Sequence, residues 1–313
     1  MTTSTITFVP RREAVQTHVL PPHIVQYQQG VDRMRISPYL DYPAHVHLET
    51  FAQCNASCNF CPYPTMDRKG ERMPDALIEK VIGELTDIPS NLPFQLSPFK
   101  VNEPFLDTRI FDVLELAHKK LPNASITLTS NSQPITPAKL ARLATFDRIG
   151  YLWISFNSHE PAEYERVMGI SFAKTLERLH MLHEYAAGGG RIRIVTSRVG
   201  DGSIRDQEFV QWIRQNFPHF EPSVFPRGGW IGQVPSNEQA PIYGVGCVRW
   251  FDLSITATGV VAHCCMDGRA EHPIGDVSKQ HVLEVYNAPE YRRLREYTAT
   301  RLEAEPCNKC AFL

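Results

Sequence analysis

Between about residues 44 and 226 the chain alternates short runs rich in β-branched and aromatic residues with longer stretches whose apolar positions recur every three to four residues. That is the pattern of βα units laid onto a parallel sheet. The short runs predict strands over 46–51, 94–101, 125–129, 151–156, 191–196 and 221–225. Leu77, Ile78, Val81, Ile82 and Leu85 share one helical face, as do Leu140, Leu143 and Ala144 behind Pro137, a residue suited to a helix's first turn. Those stripes face a core and carry no chemistry. Six strands predict an α/β fold, a partial TIM-like (β/α)6 barrel. Residues 1–43 contain prolines and little periodicity, and read as an extension over the barrel. Gly188-Gly189-Gly190 reads as a loop, and the Pro- and Gly-rich stretch from Pro226 to Gly246 as a linker to a separate small domain. In that domain 253–255 and 259–262 form a hairpin and 282–297 a helix. The expected divisions are 1–43, 44–230 and 231–313.

A chain of 313 residues, 42% hydrophobic, buries a large core and a small appended one without covalent staples. A net charge of −2 and the lack of any long basic run argue against nucleic acid or an anionic membrane as partner, since phosphate binding needs clustered Lys and Arg. No segment approaches the roughly 20 apolar residues that span a bilayer. The first dozen residues lack the basic start and apolar run of a secretory signal. The expected address is cytoplasmic, where thiols stay reduced and bind metal.

Metal is what the cysteines suggest. Cys54, Cys58 and Cys61 lie in a C-x3-C-x2-C run. Three thiolates on one loop can hold three irons of a 4Fe-4S cube and leave the fourth open to an outside ligand. A zinc knot prefers paired C-x2-C or Cys/His spacing and a closed tetrahedron. The spacing resembles that of the radical SAM superfamily. The resemblance implies that S-adenosylmethionine (SAM) chelates the open iron and is cleaved to a 5′-deoxyadenosyl radical, with Phe60 packed on its adenine. Lys100-Val101-Asn102-Glu103-Pro104 is similar to the family's Gly-Gly-Glu-Pro element, so Glu103 is expected to receive the SAM ammonium and Asn102 to lie beside it. Val101 and Asn102 replace the glycines. Ser130 and Asn131 after the third strand, and Ser155 within Ile154-Ser155-Phe156-Asn157-Ser158, resemble the ribose- and carboxylate-binding positions. Outside such a family these residues are commonly turn formers or helix caps. Arg198 is open between the SAM carboxylate and a solvated loop charge.

Five more cysteines lie in the last third: Cys247, Cys264, Cys265, Cys307 and Cys310. Their arrangement around Gly259, with Cys307-x2-Cys310 at the end, resembles the SPASM/twitch families in the truncated twitch form. That implies an auxiliary 4Fe-4S cluster on Cys247, Cys264, Cys307 and Cys310, with no open iron and suited to electron transfer. A four-cysteine zinc site is the alternative. Adjacent residues on an extended strand point to opposite faces, and register from Gly259 favours Cys264 as the ligand. Cys265 is then a buried small hydrophobe or a hydrogen-atom donor. Arg227-Gly228-Gly229 resembles an element of twitch dehydrogenases that oxidise an aminocyclitol alcohol; Arg227 would bind substrate oxygens, assist loss of the hydroxyl proton, or make an ordinary salt bridge. His263, His272 and Asp267 flank the second site in supporting or surface roles. The resemblance implies a SAM-dependent radical oxidoreductase acting on a sugar, an aminocyclitol or a similar small metabolite, with a flavodoxin- or ferredoxin-type electron donor. The rivals are a radical epimerase using Cys265, a maturase acting on a peptide substrate, and a zinc-binding interaction protein.

Overall fold

The computed structural model describes residues 6–8, 20–235 and 242–310. Its strands are β1 (Thr7–Phe8), β2 (His45–Leu48), β3 (Phe94–Ser97), β4 (Ala124–Ser130), β5 (Ile149–Ser155), β6 (Arg193–Gly200), β7 (Glu221–Pro226), β8 (Asp252–Ile255), β9 (Val260–Ala262), β10 (Pro273–Asp276) and β11 (Ala304–Glu305). Its helices are α1 (Pro22–Arg35), α2 (Asp75–Glu84), α3 (Ile110–Lys120), α4 (Pro137–Leu143), α5 (Pro161–Met168), α6 (Phe172–Ala187), α7 (Ile204–Asn216), α8 (Val282–Tyr286) and α9 (Pro289–Glu296). Nine strands form one sheet in the order β10-β9-β8-β2-β3-β4-β5-β6-β7. The run from β8 to β7 is parallel throughout, and β9 and β10 add antiparallel at the β8 edge.

Strand alternation sorts the side chains. Val46 and Leu48 of β2, Ile126 and Leu128 of β4 and Leu152 and Ile154 of β5 join the main hydrophobic core. Against them lie Ile78, Val81 and Ile82 of α2, Leu114 of α3, Leu179 and Leu182 of α6 and Ile213 of α7. The residues between them point to the opposite, concave face. There His45 Nε2 lies 2.7 Å from Ser97 Oγ, which lies 2.7 Å from Thr127 Oγ1. The barrel interior is therefore polar at the level of β2 to β4.

All six predicted barrel strands are present, and three features differ from expectation. Residues 282–297 make two helices, because Pro289 takes the first position of α9, where its missing N–H costs nothing. The C-terminal region is also not set apart by its linker: β8 pairs in parallel with β2, His45 opposite Asp252 and Leu48 opposite Ile255, so the second half continues the barrel sheet. The described N-terminal residues lie largely over this C-terminal part, with Tyr39 reaching the Pro93 carbonyl beside β3. β1 pairs with β11, Gly246 N donates to Gln28 Oε1 of α1 at 2.7 Å, and Arg35 donates to the Thr298 carbonyl. No described helix is long and apolar enough to cross a membrane.

Candidate functional site

The three clustered cysteines follow β2 at its carboxyl end, where barrel folds place chemistry. Their loop is pinned to the last turn of α5: Ser57 N donates to the Met168 carbonyl and Asn59 N to that of Val167, both at 3.0 Å. Gly169 caps α5 at φ +69, and a Cβ there would lie 1.9 Å from Ser57 Oγ. Only glycine supplies both the left-handed backbone and the clearance. On the loop, Ala56 N points at Cys54 Sγ (3.4 Å) and Tyr63 N at Cys61 Sγ (3.5 Å), while Cys58 Sγ lies 3.5 Å from Met168 Sδ. Burial pushes the Cys54 thiol up to about 12 and the Cys61 thiol up to about 11; Cys58 is raised by burial and then by its two neighbours. Sulfurs so placed give up their protons to a metal rather than to water.

Trp230 covers the loop. Its indole N–H donates to the Phe60 carbonyl at 2.8 Å, and, like Cys54 and Cys61, it packs against the buried cluster of Ala52, Tyr63, Met66, Val101 and Ala257. Phe60 is itself half-buried against the main core. Arg227 reaches the same loop, donating to the Asn59 carbonyl at 2.6 Å and to the Pro235 carbonyl at 2.9 Å. Its guanidinium thus ties backbone to backbone.

Glu103 sits in the loop after β3, capping the short turn Pro104–Leu106, and is 2% exposed. Its Oε1 accepts from Ser130 Oγ (2.9 Å) and Phe105 N (3.2 Å), and its Oε2 from Asn131 N (2.7 Å). Burial outweighs those bonds and raises the carboxyl to about 7. A buried carboxylate with no ion pair among the described residues is what an incoming ammonium requires. Beside it, Asn102 Oδ1 accepts from Lys100 N at 2.9 Å while its Nδ2 is buried without a partner, a donor suited to an acceptor on the same ligand. Asn131 Nδ2 donates to Asn55 Oδ1 on the cysteine loop at 2.8 Å, and Ser155 Oγ accepts from Asn157 Nδ2 at 2.8 Å. Glu103, Ser130, Asn131 and the cysteine loop therefore form one connected network, and Ser155 belongs to a neighbouring one. Arg198 is 5% exposed, with Nε on Asp206 (2.8 Å) and Nη1 on the Asn157 carbonyl (2.6 Å). That excludes a solvated loop charge; the guanidinium buttresses the β5 end.

Cys247, Cys264, Cys307 and Cys310 line a single cavity together with Arg249, Trp250, His263, Met266 and Arg301. Cys264 is raised by burial and senses Cys265, Cys307, Cys310 and Cys247, whereas Cys265 is raised by burial and senses chiefly Arg249, Asp252 and Lys100, with Cys247 last. The adjacent side chains thus face different surroundings, and Cys265 is not among those lining the cavity. Asp267 is fully buried and organises the surrounding loop, accepting from Glu271 N (2.9 Å), His272 N (3.0 Å) and Gln233 Nε2 (2.9 Å). Lys100 Nζ donates to the carbonyls of Asp267 (2.6 Å) and Cys265 (3.4 Å), joining the Glu103 loop to the second cysteine site. Sequence reasoning assigned nothing to Lys100, Trp230 or Tyr27. Lys100 opens the Glu103 stretch and Trp230 follows Arg227-Gly228-Gly229, a usable signal; Tyr27, whose hydroxyl meets Cys247, has none.

Four thiols around one cavity and three on a loop fit two iron-sulfur groups, and the Glu103–Asn102 pair fits SAM. Residues 48–213 match the radical SAM superfamily and 247–311 the iron-sulfur cluster-binding SPASM domain. The chain belongs to the radical SAM superfamily. Membership means that it is a radical SAM enzyme using SAM and a 4Fe-4S cluster, with auxiliary iron-sulfur binding in its SPASM region. It is 20% identical over 270 residues to the S-adenosyl-L-methionine-dependent 2-deoxy-scyllo-inosamine dehydrogenase of Niallia circulans, covering 85% of this chain and 91% of that protein. It resembles BtrN, solved with AdoMet and 2-DOIA, at a TM-score of 0.58 and 15% identity over 86% of this chain and 93% of BtrN. It also resembles SuiB of Streptococcus suis, solved with the precursor peptide SuiA, at a TM-score of 0.67 and 14% identity over 97% of this chain and 78% of SuiB. At such identities the radical SAM fold is the shared property.

Proposed function

We propose that this enzyme oxidises a secondary alcohol of a small polyhydroxylated or aminocyclitol-like substrate to a ketone. The observation that carries the reading is a closed second site, four cysteines around one cavity, joined through Lys100 to the loop that bears Glu103. When bound, the first cluster with SAM supplies a radical that takes a hydrogen atom from carbon, and the second cluster supplies a one-electron acceptor. Cys54, Cys58 and Cys61 are assigned to the first, and Cys247, Cys264, Cys307 and Cys310 to the second. Glu103 and Asn102 orient SAM, Ser130 and Asn131 hold the Glu103 carboxylate, and Phe60 and Trp230 keep water from the cysteine loop. Arg227 braces that loop, and Cys265 is left for packing. Residues 44–230 carry the radical step and 231–313 the electron acceptor, with 1–43 as an extension.

The substrate class is supported by extent and by polarity. The chain spans 91% of the aminocyclitol dehydrogenase it resembles. The concave face presents His45, His47, Ser97 and Asp252, polar groups suited to hydroxyls rather than to an apolar side chain. Anaerobic reconstitution with SAM, a flavodoxin or chemical reductant and a panel of aminocyclitols and sugars tests the proposal. The expected result is one ketone per 5′-deoxyadenosine, abolished in Cys58→Ala. Incorporation of solvent deuterium at carbon without oxidation would instead identify an epimerase. A peptide substrate is favoured by the higher TM-score to SuiB, 0.67, and modification of a peptide with no turnover of the panel would establish it.

A further inference from the structure

The four-cysteine cavity is surrounded by groups that no step above uses. Tyr27, on α1 of the N-terminal extension, places its hydroxyl 3.6 Å from Cys247 Sγ. The phenol oxygen accepts from Val248 N at 3.1 Å. With that lone pair occupied, the phenol proton is directed at the sulfur. On the other side of the cavity, Trp250 Nε1 donates to Cys307 Sγ at 3.4 Å, from a side chain 1% exposed, and His263 Nε2 lies 3.1 Å from the same sulfur. An indole nitrogen is a donor only. Arg249 and Arg301 line the cavity as well, with Arg249 held by Asp252 (3.2 Å) and Arg301 donating to the Gly246 carbonyl (3.1 Å).

We infer that Tyr27 and Trp250 are positioning residues that donate hydrogen bonds to the thiolates of the auxiliary site and so raise its reduction potential, making it an electron acceptor. The inference rests on the assignment of Cys247, Cys264, Cys307 and Cys310 to that cluster. Reduction adds negative charge that spreads over the sulfurs. Donors aimed at them, in a buried setting, stabilise the reduced form more than the oxidised one. The two guanidiniums act in the same direction. An oxidation that sheds one electron from a substrate radical needs such an acceptor, whereas a redox-neutral reaction does not. The extension then has a chemical role: without α1, Cys247 loses its donor.

The test uses the full chain, reconstituted anaerobically, with Cys54, Cys58 and Cys61 replaced by Ala so that only the second site holds iron. Iron and sulfide are counted, and the remaining cluster is titrated by EPR-monitored reduction. Four irons per chain are expected, and Tyr27→Phe, which keeps the ring and removes only the hydroxyl, should retain them. Its potential should fall by a shift equivalent to several-fold to tenfold in the equilibrium constant for accepting the electron, tenfold being about 59 mV for a one-electron couple. Trp250→Phe should act in the same direction, and the double variant further. A second measurement needs no substitution at the donors: in the parent, the reduced cluster should show exchangeable-proton hyperfine couplings that vanish in deuterated water, and one of them should be missing in Tyr27→Phe. An intact cluster with an unmoved potential, or no exchangeable coupling, overturns the inference. A chain without iron in this background removes the cluster assignment on which it rests. Intact tuning in this background, combined with no alcohol turnover by the enzyme that retains Cys54, Cys58 and Cys61, would fault the proposed substrate alone.

Discussion

At the scale of single residues, Glu103 has the most consequential environment. The backbone N–H groups of Phe105 and Asn131 and the hydroxyl of Ser130 all aim at it, yet burial dominates and raises its carboxyl to about 7. A carboxyl raised in the folded state favours its protonated form, so the ligand-free protein loses stability as pH rises through that value. The same rise creates the anion that an ammonium pairs with. SAM should therefore bind more tightly at pH 8 than at pH 6, by about tenfold if ionisation of this one group limits binding. Glu103→Gln should flatten that dependence and, at pH 8, weaken binding by about 1.5–3 kcal/mol, roughly 10–100-fold, the worth of a charge-assisted hydrogen bond. Equilibrium dialysis of the reconstituted variant against labelled SAM at several pH values checks both. A Gln variant that keeps the gradient would place the titrating group elsewhere.

At the scale of elements, the site depends on how α5 ends. Its last turn supplies two carbonyls to the cysteine loop, and Gly169 then turns left-handed against Ser57. Gly169→Ala carries about 1–2 kcal/mol for the backbone alone, with the Ser57 clash in addition. The expected result is a Tm several degrees lower and a preferential loss of the first cluster's iron, read by iron analysis of the variant beside the parent. The strands of the barrel were legible because parallel strands buried on both faces read as short β-rich runs, and the first cysteines because all three share one loop. Residues 282–297 read in sequence as one helix and form two, since Pro289 begins the second. Contacts far apart in sequence leave no such trace. Tyr27 meets Cys247 and β8 meets β2 across roughly two hundred residues, and neither partner carries a local pattern that names the other. Arg198 stays open in the sequence between the SAM carboxylate and a loop charge, and only the fold, with Asp206 and the Asn157 carbonyl around it, decides against the loop charge.

At the scale of the whole molecule, the two cysteine sites share one sheet and meet at one buried ion pair. Glu49, fully buried at the end of β2, accepts from Arg68 Nε (2.7 Å) and Nη2 (3.0 Å), with Arg68 arriving from the segment just after the cysteine loop. The same carboxylate accepts from Val101 N (3.2 Å), two residues before Glu103, and from Ala257 N (3.1 Å) in the β8–β9 turn. Four chain segments, from both halves of the protein, thus converge on two oxygens. Coulomb attraction alone is no measure of such a pair, because desolvating both charges costs about as much as their meeting returns. Removing one partner is different, since it strands the other. Glu49→Ala leaves a guanidinium and two backbone N–H groups buried without their acceptor, which should cost about 3–5 kcal/mol, a fall of roughly 10 °C in Tm. Because the acceptor is shared, iron should be lost from both sites together, unlike the selective loss expected of Gly169→Ala. Thermal scans at a fixed rate, with iron counted per chain before and after, separate the two patterns. Retention of the second cluster in Glu49→Ala would mean that the C-terminal half holds its own site without this node.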